Sequence, residues 1–108
     1  MSLGFNTNIL GTIDMSATGA SDPIYIGFQS AYCVHAIFDG ATSPVGSITL
    51  EASIDGSNWS TVADSSSSVS AAGTAFWDVT KASYPMVRVK YTRTSGSGTM
   101  TIKAFTKD

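Results

Sequence analysis

Cysteine, histidine and basic charge are all scarce in this chain. One cysteine, Cys33, and one histidine, His35, occur in 108 residues. A lone cysteine forms no intrachain disulfide. Small secreted binding modules often depend on such a staple, so synthesis inside a cell is the expectation. A single histidine, placed mid-strand with no Cys, His or Asp cluster at ligand spacing, builds no multi-histidine metal site. The opening MSLGFNTNIL has neither a basic n-region nor a long apolar h-region, and no signal peptide is expected. No apolar run reaches the length of a membrane span, so no membrane partner is expected.

Charged residues are 13% and hydrophobic residues 43%, which excludes charge-rich disorder. The net charge of −2 hides an uneven distribution: the first eighty residues hold seven acids and no base. All six bases (Lys81, Arg88, Lys90, Arg93, Lys103 and Lys107) follow, with Asp108 the one late acid. The pI near 5.0 argues against a nucleic-acid partner, which would select a larger basic surface interleaved with exposed aromatics.

What the chain does hold is serine and threonine, 30 of 108 residues, with ten glycines besides. Threonine suits strands, while serine and glycine suit turns. Alternation of period two recurs, and no helical period of useful length is found. Strands are expected around Ile9 to Met15, then over 24–29, 32–38, 47–54, 59–63, 74–80, 88–93 and 99–105. In 24–29, Ile24, Ile26 and Phe28 share a face. In 32–38 both faces are apolar, as in a strand buried on both sides. The expected fold is all-β: one antiparallel β-sandwich or jelly roll of about eight strands, a single domain over residues 1–108.

Two hairpins can be placed in register. Asp55-Gly56 should turn the chain between 47–54 and 59–63. Ile54 then pairs with Trp59, and Ala52 with Thr61, on the inward face, and Trp59 closes the end of the core. The second hairpin turns at the Ser-Gly-Ser-Gly of 95–98. It pairs Tyr91 with Ile102 and Val89 with Ala104 inward, and Lys90 with Lys103 and Arg88 with Phe105 outward. Two lysines directly opposite destabilise a ladder and call for a nearby anion. Arg88, Lys90, Lys103 and Phe105 are therefore the candidate assembly residues. Their partner is either Glu51 of the same chain or an acidic face of a second copy. The second choice favours a head-to-tail contact closing into a trimer.

No catalytic constellation is found. No serine sits in a G-x-S-x-G elbow, the glycines of 96–98 lack the helix and lysine of a phosphate loop, and the acids are scattered singly. A non-enzymatic protein without cofactor or metal is expected. Cys33 reads as an inert thiol, and His35 as structural or exposed. Trp77, Tyr25, Tyr32 and Phe105 are the aromatics able to stack on a sugar, with core packing as the competing role.

Ser53-x-Asp55-Gly56-x-x-Trp59, and the aromatic leading into Val87-Arg88-Val89 in YPMVRVKY (84–91), resemble discoidin domains, also called coagulation-factor type C domains. That resemblance implies a β-sandwich jelly roll, often one that binds glycans or lipid headgroups through its loops. The wider pattern of S-x-D-G-x-x-W, a Ser/Gly loop and MVRVKYTRTSGSGTMTI (86–102) is similar to small structural proteins of tailed bacteriophages. This implies a virion protein, made in the host cytoplasm without a signal peptide. It would act as a capsid decoration or accessory protein by self-association and by docking on other virion proteins. The alternative is a carbohydrate-binding module used for host or glycan attachment.

Overall fold

The computed structural model describes residues 5–26 and 30–107, with side chains described for 11–26 and 30–106. Ten strands form among the described residues: β1 Phe5–Asp14, β2 Gly19–Ala20, β3 Ile24–Tyr25, β4 Ala31–Phe38, β5 Thr42–Ser53, β6 Ser60–Thr61, β7 Ser67–Val69, β8 Gly73–Val79, β9 Met86–Ser97 and β10 Thr99–Lys107. No helix occurs among the described residues. The count exceeds the expected eight by β2 and β7, which are two and three residues long, while β3 and β6 are short forms of the strands expected over 24–29 and 59–63. Such pieces carry too few alternating positions to stand out in a sequence.

Two antiparallel sheets face each other. One runs β1-β10-β4-β8; the other runs β2-β9-β5-β6, with β3 also on β9 and β7 also on β5. Each sheet turns one side of its alternation inward. From the first sheet come Ile13, Tyr32, Val34, Ala36, Phe38, Met100, Ile102 and Ala104; from the second come Ile24, Ile48, Leu50, Val69, Val87, Val89 and Tyr91. All are buried, and Met15 and Ile26 complete the cluster. Phe28, expected beside Ile24 and Ile26, lies outside the described residues. The inward sides of β4, β5, β9 and β10 are thus the alternating faces read from the sequence. β4 is not buried on both faces: Cys33, His35 and Ile37 on its outer side are half-buried.

The terminal hairpin does not form. β9 pairs with β5, and β10 pairs with β1 and β4, so the two strands lie in opposite sheets. Gly98 alone separates them. The segment is a corner where the chain passes from sheet to sheet, a known device of sandwiches. Glycine is required there. Gly96 has φ +88°, and a Cβ on it would lie 2.3 Å from the Ser43 carbonyl oxygen and 2.6 Å from Pro44 Cα. A Cβ on Gly98 would lie 2.8 Å from Ala41 Cα. A corner and a hairpin present the same inward alternation, because two facing sheets both turn their apolar sides to one core.

The 62–66 loop holds one edge of β5. Ser65 is buried, and its Oγ accepts from the Leu50 amide at 3.1 Å. The Val62 amide donates to the Leu50 carbonyl at 2.8 Å. Asp64, at φ +59°, makes the left-handed turn into this plug, a conformation Asp tolerates better than most residues. From the opposite sheet, the Trp77 indole N–H donates to the Ser65 carbonyl at 2.8 Å. That bond ties the two sheets at this edge, and it satisfies a polar group a half-buried indole must place.

Candidate functional site

The stretch Ser53–Trp59 is a self-locked loop. The Gly56 amide donates to Ser53 Oγ at 2.8 Å, and Ser53 Oγ donates to Asp55 Oδ1 at 3.2 Å. The amides of Ser57 and Asn58 both donate to Asp55 Oδ1 at 2.9 Å, and Asn58 Nδ2 donates to Oδ2 at 2.7 Å. These donors, the Asn58 and Ser57 amides foremost, hold the Asp55 carboxyl well below the usual carboxylate range. Ser, Asp and Gly at this spacing therefore build the turn, and both Asp55 oxygens are engaged in it.

The hairpin register differs from the expected one. Ala52 pairs with Ser60 and Glu51 with Thr61, one residue from the anticipated match. A one-residue slip moves a side chain to the other face of a sheet. Trp59 accordingly lies on the outer side, half-buried, with the Arg88 guanidinium 4.3 Å above its ring centroid. It does not close the core, and Ile54 is 82% exposed instead of packing inward. Arg88 also pairs with Glu51 across the ladder, with Nη2 to Oε1 at 2.8 Å and Nε to Oε1 at 2.8 Å. Glu51 was the partner expected within one chain. A shallow cleft of about 430 Å³ opens beside the loop, with Ile54, Asp55, Asn58, Ser60, Ser83 and Tyr84 in its walls.

The four candidate assembly residues divide between the sheets. Arg88 and Lys90 belong to β9, where Lys90 sits between Ala20 and Thr49 in the ladder. Lys103 and Phe105 belong to β10, where they pair with His35 and Cys33 of β4. The expected pairings of Lys90 with Lys103 and of Arg88 with Phe105 are absent, because each pair spans opposite sheets of the sandwich.

Lys103 and Phe105 instead join a set of residues the sequence reading did not assemble, the outer face of the first sheet. Three ladder rows cross it: Asp78–Cys33–Phe105, Phe76–His35–Lys103 and Thr74–Ile37–Thr101. Phe76 is 61% exposed, and its ring meets that of His35 edge-on at 5.7 Å between centroids. Two adjacent depressions of about 200 and 130 Å³ flank Phe105 and share Cys33 in their walls. Burial, with the nearby Asp78 charge, pushes the Cys33 thiol above its usual range. Phe76 could have been found from sequence: Phe76 and Trp77 are adjacent in a strand, so one must point outward.

Of the other aromatics, Tyr25 is 73% exposed on the edge strand β3, while Tyr32 is buried. The Tyr32 and Tyr84 hydroxyls lie 2.6 Å apart, and burial and that bond push the Tyr32 phenol far above its normal range. Trp77 faces the core side and bonds Ser65. Among the described residues no three His, Cys, Asp or Glu side chains are grouped so as to hold a metal ion.

No protein-family model matches the chain, and no curated protein matches it. Solved structures do share its fold. The SPBc2 prophage-derived protein YomS superposes with a TM-score of 0.67 at 14% identity, covering 96% of this chain and 93% of that one. The PBSX exported protein XepA gives a TM-score of 0.61 at 19% identity, covering 95% of this chain; the chain spans only 37% of XepA. A family 89 glycoside hydrolase from Clostridium perfringens contains a similar unit, with a TM-score of 0.50 at 16% identity, covering 97% of this chain and 14% of the enzyme. At these identities the likeness establishes the β-sandwich fold, which serves many unrelated functions.

Proposed function

We propose that this chain is a non-enzymatic virion structural protein, a decoration or accessory subunit that self-associates and docks on other virion proteins. The observation that carries this reading is the near end-to-end match to a prophage-derived protein, in which the sandwich is almost the whole of both chains. The surface is in keeping with it. On the outer face of the first sheet, Phe76, 61% exposed, adjoins half-buried Cys33, His35, Ile37 and Phe105. Exposed apolar groups of this size mark contact surfaces when they cluster. The virion is the corresponding location.

The alternative, a carbohydrate-binding module resembling discoidin domains, draws support from the cleft beside Ile54 and Tyr84, which has room for a sugar ring. Two measurements separate the readings. Purified chain should co-sediment with particles produced by the replicon that encodes it, and should be silent on a glycan array. Specific glycan binding without particle binding reverses the assignment.

A further inference from the structure

The outer face of the four-stranded sheet has a diagonal pattern. Asp78 on β8 and Lys103 on β10 occupy opposite corners of a block centred on Cys33 and His35; Phe76 and Phe105 occupy the other two. Asp78 and Lys103 are exposed, and Asp78 makes no ion pair within the chain among the described residues. The centre is lined by Cys33 and His35, both half-buried, with half-buried Ile37 in the next row.

We propose that this face is a two-fold contact between copies of this chain, with Asp78 of each copy meeting Lys103 of the other. An isologous contact requires a surface complementary to itself. Laying a second copy face to face, with the axis along the Phe76–Phe105 diagonal, brings each of the other two corners to within about 4 Å of the opposite one. Each aspartate then faces a lysine, twice over, within reach of the long lysine side chain. The aromatics lie along the axis, where each meets its own counterpart. Phe against Phe is favourable in offset or edge-on packing, whereas like charges on the axis would repel. The observed diagonal avoids this.

The size of the face sets the strength. Four strands at the usual spacing, along an eight-residue central strand, give about 20 by 25 Å, or roughly 1,000 Å² over both copies. That is near the lower bound for a specific interface. The contact is therefore weak in free solution, and it strengthens where other contacts hold copies together on a particle. It replaces the head-to-tail trimer expected from sequence, whose basic stripe the fold divides between two sheets. The proposal rests on the self-association reading above and names the surface that performs it.

Sedimentation of the whole chain over a concentration series tests it. A monomer–dimer equilibrium is expected between 11.2 kDa and twice that mass. Asp78→Lys alone and Lys103→Asp alone should each weaken the dimer about tenfold or more, since each variant places two like-charge pairs in the contact. The double variant D78K/K103D should recover wild-type affinity. Circular dichroism of all three controls for folding, which these exposed positions should leave intact. Recovery in the double variant supports the two-fold contact. A chain that remains monomeric at millimolar concentration overturns it, and so does a multimer indifferent to all three variants. The second result leaves self-association standing through another surface, and particle co-sedimentation tests that reading independently.

Discussion

Replacing Gly96 by alanine should destabilise the sandwich by about 2–5 kcal/mol, and the structure supplies both parts of that figure. At φ +88° the backbone of Gly96 is in the left-handed region, where a Cβ costs about 1–2 kcal/mol. That Cβ would also stand 2.3 Å from the Ser43 carbonyl oxygen and 2.6 Å from Pro44 Cα. Backbone atoms cannot swing aside as a side-chain tip can. The start of β5 would have to move off the end of β9, an overpacking cost of about 1–3 kcal/mol. Gly73→Ala is the control, because no atom lies within 4 Å of its would-be Cβ and its φ is not positive. Its change should stay within about 1 kcal/mol and can be stabilising. Urea unfolding followed by tryptophan fluorescence gives both values from the shift in midpoint at constant m. Equal losses in the two variants would refute the corner, since an exposed hairpin turn at 95–98 places no backbone so close.

Other expectations concern single contacts. A double-mutant cycle on Trp59→Ala and Arg88→Ala should return a coupling of about 0.5–1 kcal/mol for the stacked pair; a coupling indistinguishable from zero contradicts the outer-face placement. Ser65→Ala should cost about 1–3 kcal/mol in thermal or urea unfolding, because it leaves the Leu50 amide without its partner. The exposed neighbour Ser66→Ala should cost about 0.5 kcal/mol or less, and equal losses would remove the plug from the account. Asp55 has a folded pKa below its unfolded value. Its stabilisation is therefore complete well above the ordinary carboxylate pKa of about 3.9 and is lost progressively as pH falls from there through the lower folded value. The Ser57 and Asn58 amide resonances should stay unshifted down to about pH 4, and a midpoint at the ordinary pKa contradicts the lock.

The legible parts of the sequence were those where long alternation met a single core. Ile48 and Leu50 in β5, and Val87, Val89 and Tyr91 in β9, point inward as their spacing requires. Failures came where alternation ended. Past Ser53 the chain leaves the ladder, and the Ser53, Asp55 and Gly56 lock spends several residues before pairing resumes at Ser60. Carrying the inward phase across that loop misplaces Ile54 and Trp59. At Ser95–Gly98 the glycines were read as a tight turn, yet their role is close approach to residues 41–44. Period-two patterning gives the face of a residue without naming its sheet, so Lys90 and Lys103 looked adjacent while standing on opposite sides of the molecule. The same blindness hid the Phe76, Asp78, Lys103 and Phe105 block, whose strands are joined only by tertiary pairing.

The central claim, that this sandwich is a structural part of a virion, is tested most directly by counting its copies in purified particles with isotope-labelled standard peptides and mass spectrometry. The account predicts many copies per particle, in fixed ratio to the other structural proteins and retained through density-gradient purification. Abundant chain in the lysate with none in the particles would contradict it.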